Sequence, residues 1–173
     1  MMLRNLDSNF KREAVKEYMG EVKRIGSQLK RAFEGQAWHG PSLQELLADV
    51  TFEQAAAKSF PNIHSIWELV LHIEAWTRTV TRCLEGEIMP EQLPMEENWP
   101  QGESASETAW RGTLAKLENG QRQLRDALRN LTDEKLEQIV PGRPYSFYFM
   151  LHGTIQHILY HAGQIALLKK PLN

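Results

Sequence analysis

Two histidines one helical turn apart are the residues of this chain whose types and spacing are best suited to chemistry. His157 and His161 are four positions apart, so on a helix their imidazoles project from adjoining positions of one face. Neutral imidazole nitrogens bind divalent transition metals, and two held in this way can chelate one ion if another helix supplies further ligands. The pair therefore predicts a metal site.

The position of His161 supports this prediction. The last helical stretch has an apolar seam with four-three spacing, and His161 stands in it where an apolar residue is expected: Phe147, Leu151, Thr154, Ile158, His161, Ile165 and Leu168. A polar ring buried in such a seam without a partner costs a few kcal/mol, so His161 must have one. The alternative interpretation is a core histidine with an ordinary hydrogen-bond partner.

A third ligand is expected from a facing helix, and His72 is the candidate. It lies next to the apolar seam residue Ile73 and one turn before Trp76. Zinc bound by three such nitrogens would have metal–nitrogen distances of about 2.0–2.1 Å. Three protein ligands leave coordination positions open, which is typical of catalytic rather than structural zinc sites.

The other histidines fit the site less well. His152 lies five residues before the pair, which rotates it away on the helix. His64 precedes a helix cap and is predicted to be a loop residue that could line a cavity. His39 lies in a turn-rich link and is predicted to be structural or exposed. Gln164, about one turn beyond His161, could donate to a bound ligand or brace the fold.

The elements that must position these residues are predicted to be helices. Four long segments show helical periodicity, roughly 9–34, 66–86, 105–131 and 147–170. Capping boxes are predicted at Ser42–Glu45, Ser65–Glu68 and Ser104–Glu107. Almost no strand-like alternation is present, so the sequence predicts an all-α four-helix bundle with short extra helices in the links, one of them around 43–49. The links are long enough to leave the order of the helices open.

The composition narrows the function classes. A length of 173 residues predicts a single domain over 1–173. The 20 Lys and Arg against 22 Asp and Glu argue against a nucleic-acid-binding protein. Cys83, the lone cysteine, excludes an intrachain disulfide and is predicted to be a small buried apolar residue. With no signal-peptide core and no bilayer-length apolar run, the sequence predicts a soluble cytoplasmic protein without a membrane partner.

Two segments resemble a known family. The stretches HSIWELVLHIEAW (64–76) and HGTIQHILYHAGQIALLKK (152–170) are similar to the DinB/YfiT-like superfamily of metal-dependent four-helix-bundle proteins. Tyr160, Gly163 and Gln164 match the family's last-helix pattern, and the resemblance extends over essentially the whole chain. It implies that the metal ligands are His72, His157 and His161, that the ion is zinc or nickel, that the helices run up-down-down-up, and that the protein forms a homodimer.

The resemblance also implies a function class. The family includes S-transferases and isomerases that use small thiols, so the expectation is a metalloenzyme that activates a small thiol for transfer to an electrophilic small molecule. The alternatives are a hydrolase that uses metal-bound water and a non-catalytic, stress-associated metal-binding bundle. A hydrolase needs a general base, but Glu68 is assigned to a cap and Glu74 points away from the seam. The 87–104 loop, through Trp99, could form one wall of a cleft for the thiol, or it is an ordinary surface loop that Trp99 packs against the fold; no catalytic residue is identified.

Overall fold

The protein is all-helical in the computed structural model, which describes residues 20–100 and 106–170. We number the eight helices of these residues α1 Glu21–Glu34, α2 Leu43–Leu47, α3 Phe52–Ala56, α4 Ile66–Leu84, α5 Met95–Asn98, α6 Glu107–Arg129, α7 Asp133–Leu136 and α8 Phe147–Leu168. Helices α1, α4, α6 and α8 are long, and the four short helices lie in the links. This confirms the predicted four-helix bundle with extra link helices. The first helix is not continuous over 9–34 as predicted, because the backbone at Gly20 is extended and α1 begins at Glu21; residues 9–19 lie outside the described residues.

Local capping explains where several helices begin. The Ser65 hydroxyl accepts from the Glu68 amide, and the Glu68 carboxylate accepts from the Ser65 amide, so the predicted box at the start of α4 is confirmed. The Ser42–Glu45 box at the start of α2 is confirmed in the same way. Such reciprocal bonds satisfy amides that have no partner within the helix.

The predicted box Ser104–Glu107 is wrong. Helix α6 begins at Glu107, and the cap is Ser106, whose hydroxyl accepts from the Ala109 amide at 3.2 Å. Glu107 is therefore the first helical residue rather than the third, and only a third residue can reach back to the cap amide. Ser104 lies outside the described residues.

Helices α1 and α6 are antiparallel. At the start of α1, the Glu21 and Val22 amides each donate to the carboxylate of Asp133, just beyond the end of α6, at 2.9 Å. At the other end of α1, Glu34 pairs with Arg125 of α6 at 2.6 Å. The Asp133 carboxylate also caps α1 from another part of the chain, since it satisfies two of the free amides of the first turn.

Helix α4 is parallel to α6. Near the start of both helices, the Trp67 indole of α4 donates to the Thr113 hydroxyl of α6 at 3.0 Å. More than two turns later on both helices, the Thr77 hydroxyl of α4 accepts from the Gln121 amide of α6, also at 3.0 Å. The second bond also satisfies the Gln121 side-chain nitrogen, which is fully buried in the apolar seam of α6.

Helix α8 is antiparallel to α4 and parallel to α1. The ring of His72 contacts that of His161, whereas Trp76, one turn later on α4, contacts the earlier residue His157. Beside α1, Glu21 lies 3.9 Å from His152, while later residues of both helices line a shared cavity. The long helices therefore run up-down-down-up in chain order, as the family resemblance implied.

The predicted seams face the interior of the bundle. Leu29, Ile73, Leu124, Leu151 and Ile158 are among the buried side chains of the four long helices. Each such side chain contributes about 1.5–3 kcal/mol when it leaves water. Cys83 is also buried, and burial raises the pKa of its thiol, as expected for a structural cysteine. None of the described helices combines the length and hydropathy needed to cross a bilayer.

Candidate metal centre

The three histidines that the sequence singled out meet in the interior of the bundle. The Nε2 atom of His157 lies 3.0 Å from Nε2 of His72 and 3.1 Å from Nε2 of His161. His72 and His161 are buried, and His157 is half-buried. Their ligand atoms all lie within 4.8 Å of one another.

The fold explains this convergence. On α8, the four-residue spacing places the rings of His157 and His161 4.5 Å apart on one face. Because α4 is packed against that face in the opposite direction, His72 meets both rings, with centroids 5.0 and 4.8 Å away. The histidine pair on α8 and the single histidine on α4 therefore lie together in the interior of the bundle.

A loop orients the ring of His72. Its Nδ1–H donates to the backbone carbonyl of Asn98 at 2.7 Å, since a carbonyl can only accept. The Asn98 side-chain oxygen in turn accepts from the Trp76 indole at 2.8 Å. With the proton of His72 on Nδ1, the lone pair on Nε2 points toward the other two histidines.

Gln164 orients the ring of His161. Its Oε1 atom lies 2.6 Å from Nδ1 of His161 and accepts the proton there, which leaves the Nε2 lone pair free. The sequence left open whether Gln164 donates to a bound ligand or braces the fold; this bond holds the ring of His161. Partners of this kind behind a histidine raise its basicity and hold its orientation in metal sites.

The three imidazoles are better suited to binding a divalent metal than to binding a proton near pH 7. Burial, with the neighbouring imidazoles His161 and His72, lowers the pKa of His157 to about 3. Burial also lowers the pKa of His72 and of His161. All three rings are therefore neutral near pH 7, so each can offer a nitrogen lone pair to a cation. Separations of 3.0 and 3.1 Å are compatible with an ion about 2.0–2.1 Å from both nitrogens of each pair.

A cavity of about 540 Å³ opens beside the three histidines. Its other walls are mainly aromatic and apolar: Trp76, Val80, Met89, Tyr145, Phe149 and Met150. No aspartate, glutamate, lysine or arginine of the described part of the chain lines it. Such a cavity is large enough for a small organic molecule and binds it chiefly through its apolar surface.

A second cavity, of about 470 Å³, shares part of its wall with the first. Trp99, Tyr160 and His161 line both cavities. The remaining walls of the second combine apolar with uncharged polar side chains: Phe60, Asn62, Ile63, His64, Leu69, Gln164, Leu167 and Leu168. The site is therefore accessible from two sides, on either side of Trp99.

Trp99 is the middle ring of a three-ring stack. It lies face to face with His64 at a centroid distance of 3.6 Å and with His72 at 3.9 Å, with interplanar angles of 6° and 9°. Two rings at these distances must occupy opposite faces of the indole, so Trp99 separates His64 from His72. Trp99 lines both cavities, as expected for the wall of a cleft, and the half-buried Trp76 lines the first.

The remaining histidines lie away from the three Nε2 atoms. His152 packs against Tyr148 at 4.4 Å and lies near Glu21, and His39 is exposed. Sequence reasoning missed Asn98 and the cavity residues Tyr145 and Phe149. They lie in the links or on the flank of α8, where no periodic pattern distinguishes them.

Removing the amide that braces His161 should weaken metal binding. We expect Gln164→Leu to lower zinc affinity by about 10–100-fold, because the ring loses the acceptor that holds its tautomer and orientation. Competition against a chromophoric chelator measures this change. Gln156→Leu is the matched control, since Gln156 is an exposed glutamine of the same helix. Equal affinities for the two variants would contradict the bracing role.

Comparison with known proteins points to one family. Residues 37–165 match the family model described as the DinB superfamily, a span that covers most of the chain and contains His72, His157 and His161. No curated protein and no solved structure matches the chain.

Proposed function

The chain belongs to the DinB superfamily. We propose that it is a divalent-metal-dependent enzyme that activates a small thiol for S-transfer to an electrophilic substrate. His72, His157 and His161 would hold the ion, with zinc or nickel as the metals that suit a neutral nitrogen donor set. An ion there would hold a thiol as the thiolate, which is the nucleophilic form.

The observation that carries the proposal is the lack of negative charge among the described residues around the three histidines. No carboxylate of residues 20–100 and 106–170 lines either cavity, and the three imidazoles are neutral, so none of these side chains offsets the charge of a divalent ion. In apolar surroundings such a centre favours an anionic ligand strongly. A thiolate meets this requirement and is a softer, less strongly hydrated ligand than hydroxide.

The chain's own residues would bind and position the electrophile. Trp76, Phe149 and Met150 provide an apolar wall for its carbon skeleton and exclude water from the reacting atoms. The sulfur lone pair forms the new carbon–sulfur bond, and the electron pair of the broken bond leaves with the leaving group. His161 and Tyr160 line both cavities, so the two reactants would meet beside them.

The two alternatives are less well supported. A hydrolase using metal-bound water usually places a carboxylate nearby as a general base, and among residues 20–100 and 106–170 no carboxylate lines either cavity. His64, which lines the second cavity, could accept a proton, but the indole of Trp99 separates its ring from His72. A non-catalytic metal protein favours a closed coordination shell, but within residues 20–100 and 106–170 the cluster of possible ligands holds only the three histidines. The two cavities beside it provide room for substrates.

The proposal is tested with the zinc- or nickel-loaded protein and simple reagents. We expect it to accelerate the reaction of 2-mercaptoethanol with 1-chloro-2,4-dinitrobenzene, followed by the absorbance of the thioether. His157→Ala should abolish the acceleration, and His152→Ala, on the same helix, should retain it. Hydrolysis of p-nitrophenyl acetate without thiol-dependent activity would favour the hydrolase instead. No turnover of either probe would contradict the enzyme proposal.

The expected partners and location remain proposals. The family resemblance suggests a homodimer, and light scattering on the purified protein measures this directly. We propose that the substrates are small molecules rather than nucleic acid, since the charge is nearly balanced, with a formal net charge of −2. The single, buried cysteine is compatible with a cytoplasmic location.

A further inference from the structure

His64 has the contacts of an oriented proton acceptor. Its Nδ1 atom lies 3.3 Å from Oε2 of Glu68, one turn further along, and donates to that carboxylate. Its ring is held flat against Trp99. Its Nε2 atom makes no hydrogen bond to the described part of the chain. A carboxylate behind one nitrogen and a free second nitrogen is the usual arrangement of a histidine that accepts protons.

His64 lies beside the candidate metal centre but is not one of its predicted ligands. It lines the second cavity together with His161 and Gln164, and the indole of Trp99 separates it from His72. Its side chain is 46% exposed. His64 can therefore exchange protons with the cavity on one side and with solvent on the other.

The charged and titratable groups around His64 are few. Glu68 is paired with Lys58, whose ammonium lies 2.6 Å from Oε1. His72, beyond the indole, and His161, across the cavity, are neutral imidazoles. No carboxylate other than Glu68 contacts the ring, so within the described residues His64 is the group best placed to take a proton from a molecule in the second cavity.

We propose that the second cavity is the thiol site and that His64, oriented by Glu68, accepts the thiol proton. This inference depends on the proposed S-transfer function and deepens it. The polar side chains Asn62 and Gln164 suit the polar tail of a small thiol, and the aromatic first cavity is left for the electrophile.

The proton and electron balance is simple. The S–H bond breaks, its electron pair stays on sulfur, and the proton passes to Nε2 of His64, directly or through one water. The sulfur pair then forms the carbon–sulfur bond, and with 1-chloro-2,4-dinitrobenzene the carbon–chlorine pair leaves as chloride. His64 finally returns its proton to solvent.

Counting protons on thiol binding tests this role. Calorimetric titration of the metal-loaded protein with 2-mercaptoethanol, in phosphate and in Tris at pH 7, gives the number of protons released per bound thiol. We expect wild type to release clearly less than one, because His64 retains part of the proton, and His64→Gln to release about one. His39→Gln, which removes an exposed histidine elsewhere, should behave as wild type.

Two further measurements separate proton transfer from a structural role. His64→Gln should slow S-transfer to 1-chloro-2,4-dinitrobenzene by about 100-fold, and added imidazole should restore part of the rate. Glu68→Gln keeps a residue that can complete the capping box at the start of α4 but removes the negative charge beside Nδ1 of His64. Its rate of S-transfer should therefore lie between the rates of wild type and His64→Gln.

The outcomes distinguish the two proposals. Equal proton counts and rates in wild type and His64→Gln would overturn the role of His64 and leave the S-transfer function intact. If 2-mercaptoethanol binds neither protein when both hold metal, the S-transfer function itself fails, and the role of His64 fails with it.

Discussion

His161→Ala should lose the bound metal. We expect about one equivalent of zinc or nickel per chain in the untagged wild type and less than about a tenth in the variant, because two nitrogens from one helix hold an ion far more weakly than three. Mass spectrometry of the metal content measures both. Alanine is a good helix former and adds no polar group to the core, so the variant should still fold, and circular dichroism checks this.

His152→Ala is the control for this experiment. His152 lies on the same helix, but its contacts are with Tyr148 and Glu21 rather than with the three converging nitrogens. It should retain the full equivalent of metal. If wild type binds no zinc or nickel even after incubation with the ions, the metal site is refuted and His161 is a core histidine bonded to Gln164.

Trp99→Ala should lower zinc affinity by about 10–100-fold, although Trp99 is not a ligand. The indole packs on His72, and the adjacent Asn98 carbonyl holds the Nδ1 proton of that ring. Without the indole, this segment loses its packing, the His72 ring is free to turn, and the two cavities merge. Chelator competition gives the affinity, and the absorption spectrum of the cobalt-loaded protein reports the coordination geometry.

Two variants test whether the effect depends on the ring stack. Trp99→Phe keeps an aromatic face against His72 and should restore most of the affinity and the cobalt spectrum. Trp38→Ala removes a tryptophan that is fully exposed and should change neither. An unchanged cobalt spectrum and affinity in Trp99→Ala would show that the stack does not position His72.

Features of this protein that depend on local spacing could be predicted from the amino-acid sequence. Apolar seams of period 3.6 predicted the four long helices, and the Ser65–Glu68 pair predicted the start of α4, because a cap involves residues three apart. His161 was identified because it is a polar residue in an apolar seam, and its four-residue distance from His157 predicted the contact between the two rings. The same local reasoning failed at Ser104–Glu107, because the cap of α6 is Ser106 and Glu107 is therefore the first helical residue.

The surroundings of these residues depend on how the helices and links pack together in three dimensions. The direction of each helix could not be predicted from the lengths of the links, since each link is long enough to reach either end of the bundle. The direction of α4 relative to α8 is nevertheless what brings His72 to the histidine pair on α8. The contacts of Asn98 and Trp99 with His72, and of Trp99 with His64, join residues far apart in the chain. Such contacts depend on the packing of a whole loop against two helices, and no short sequence period records them.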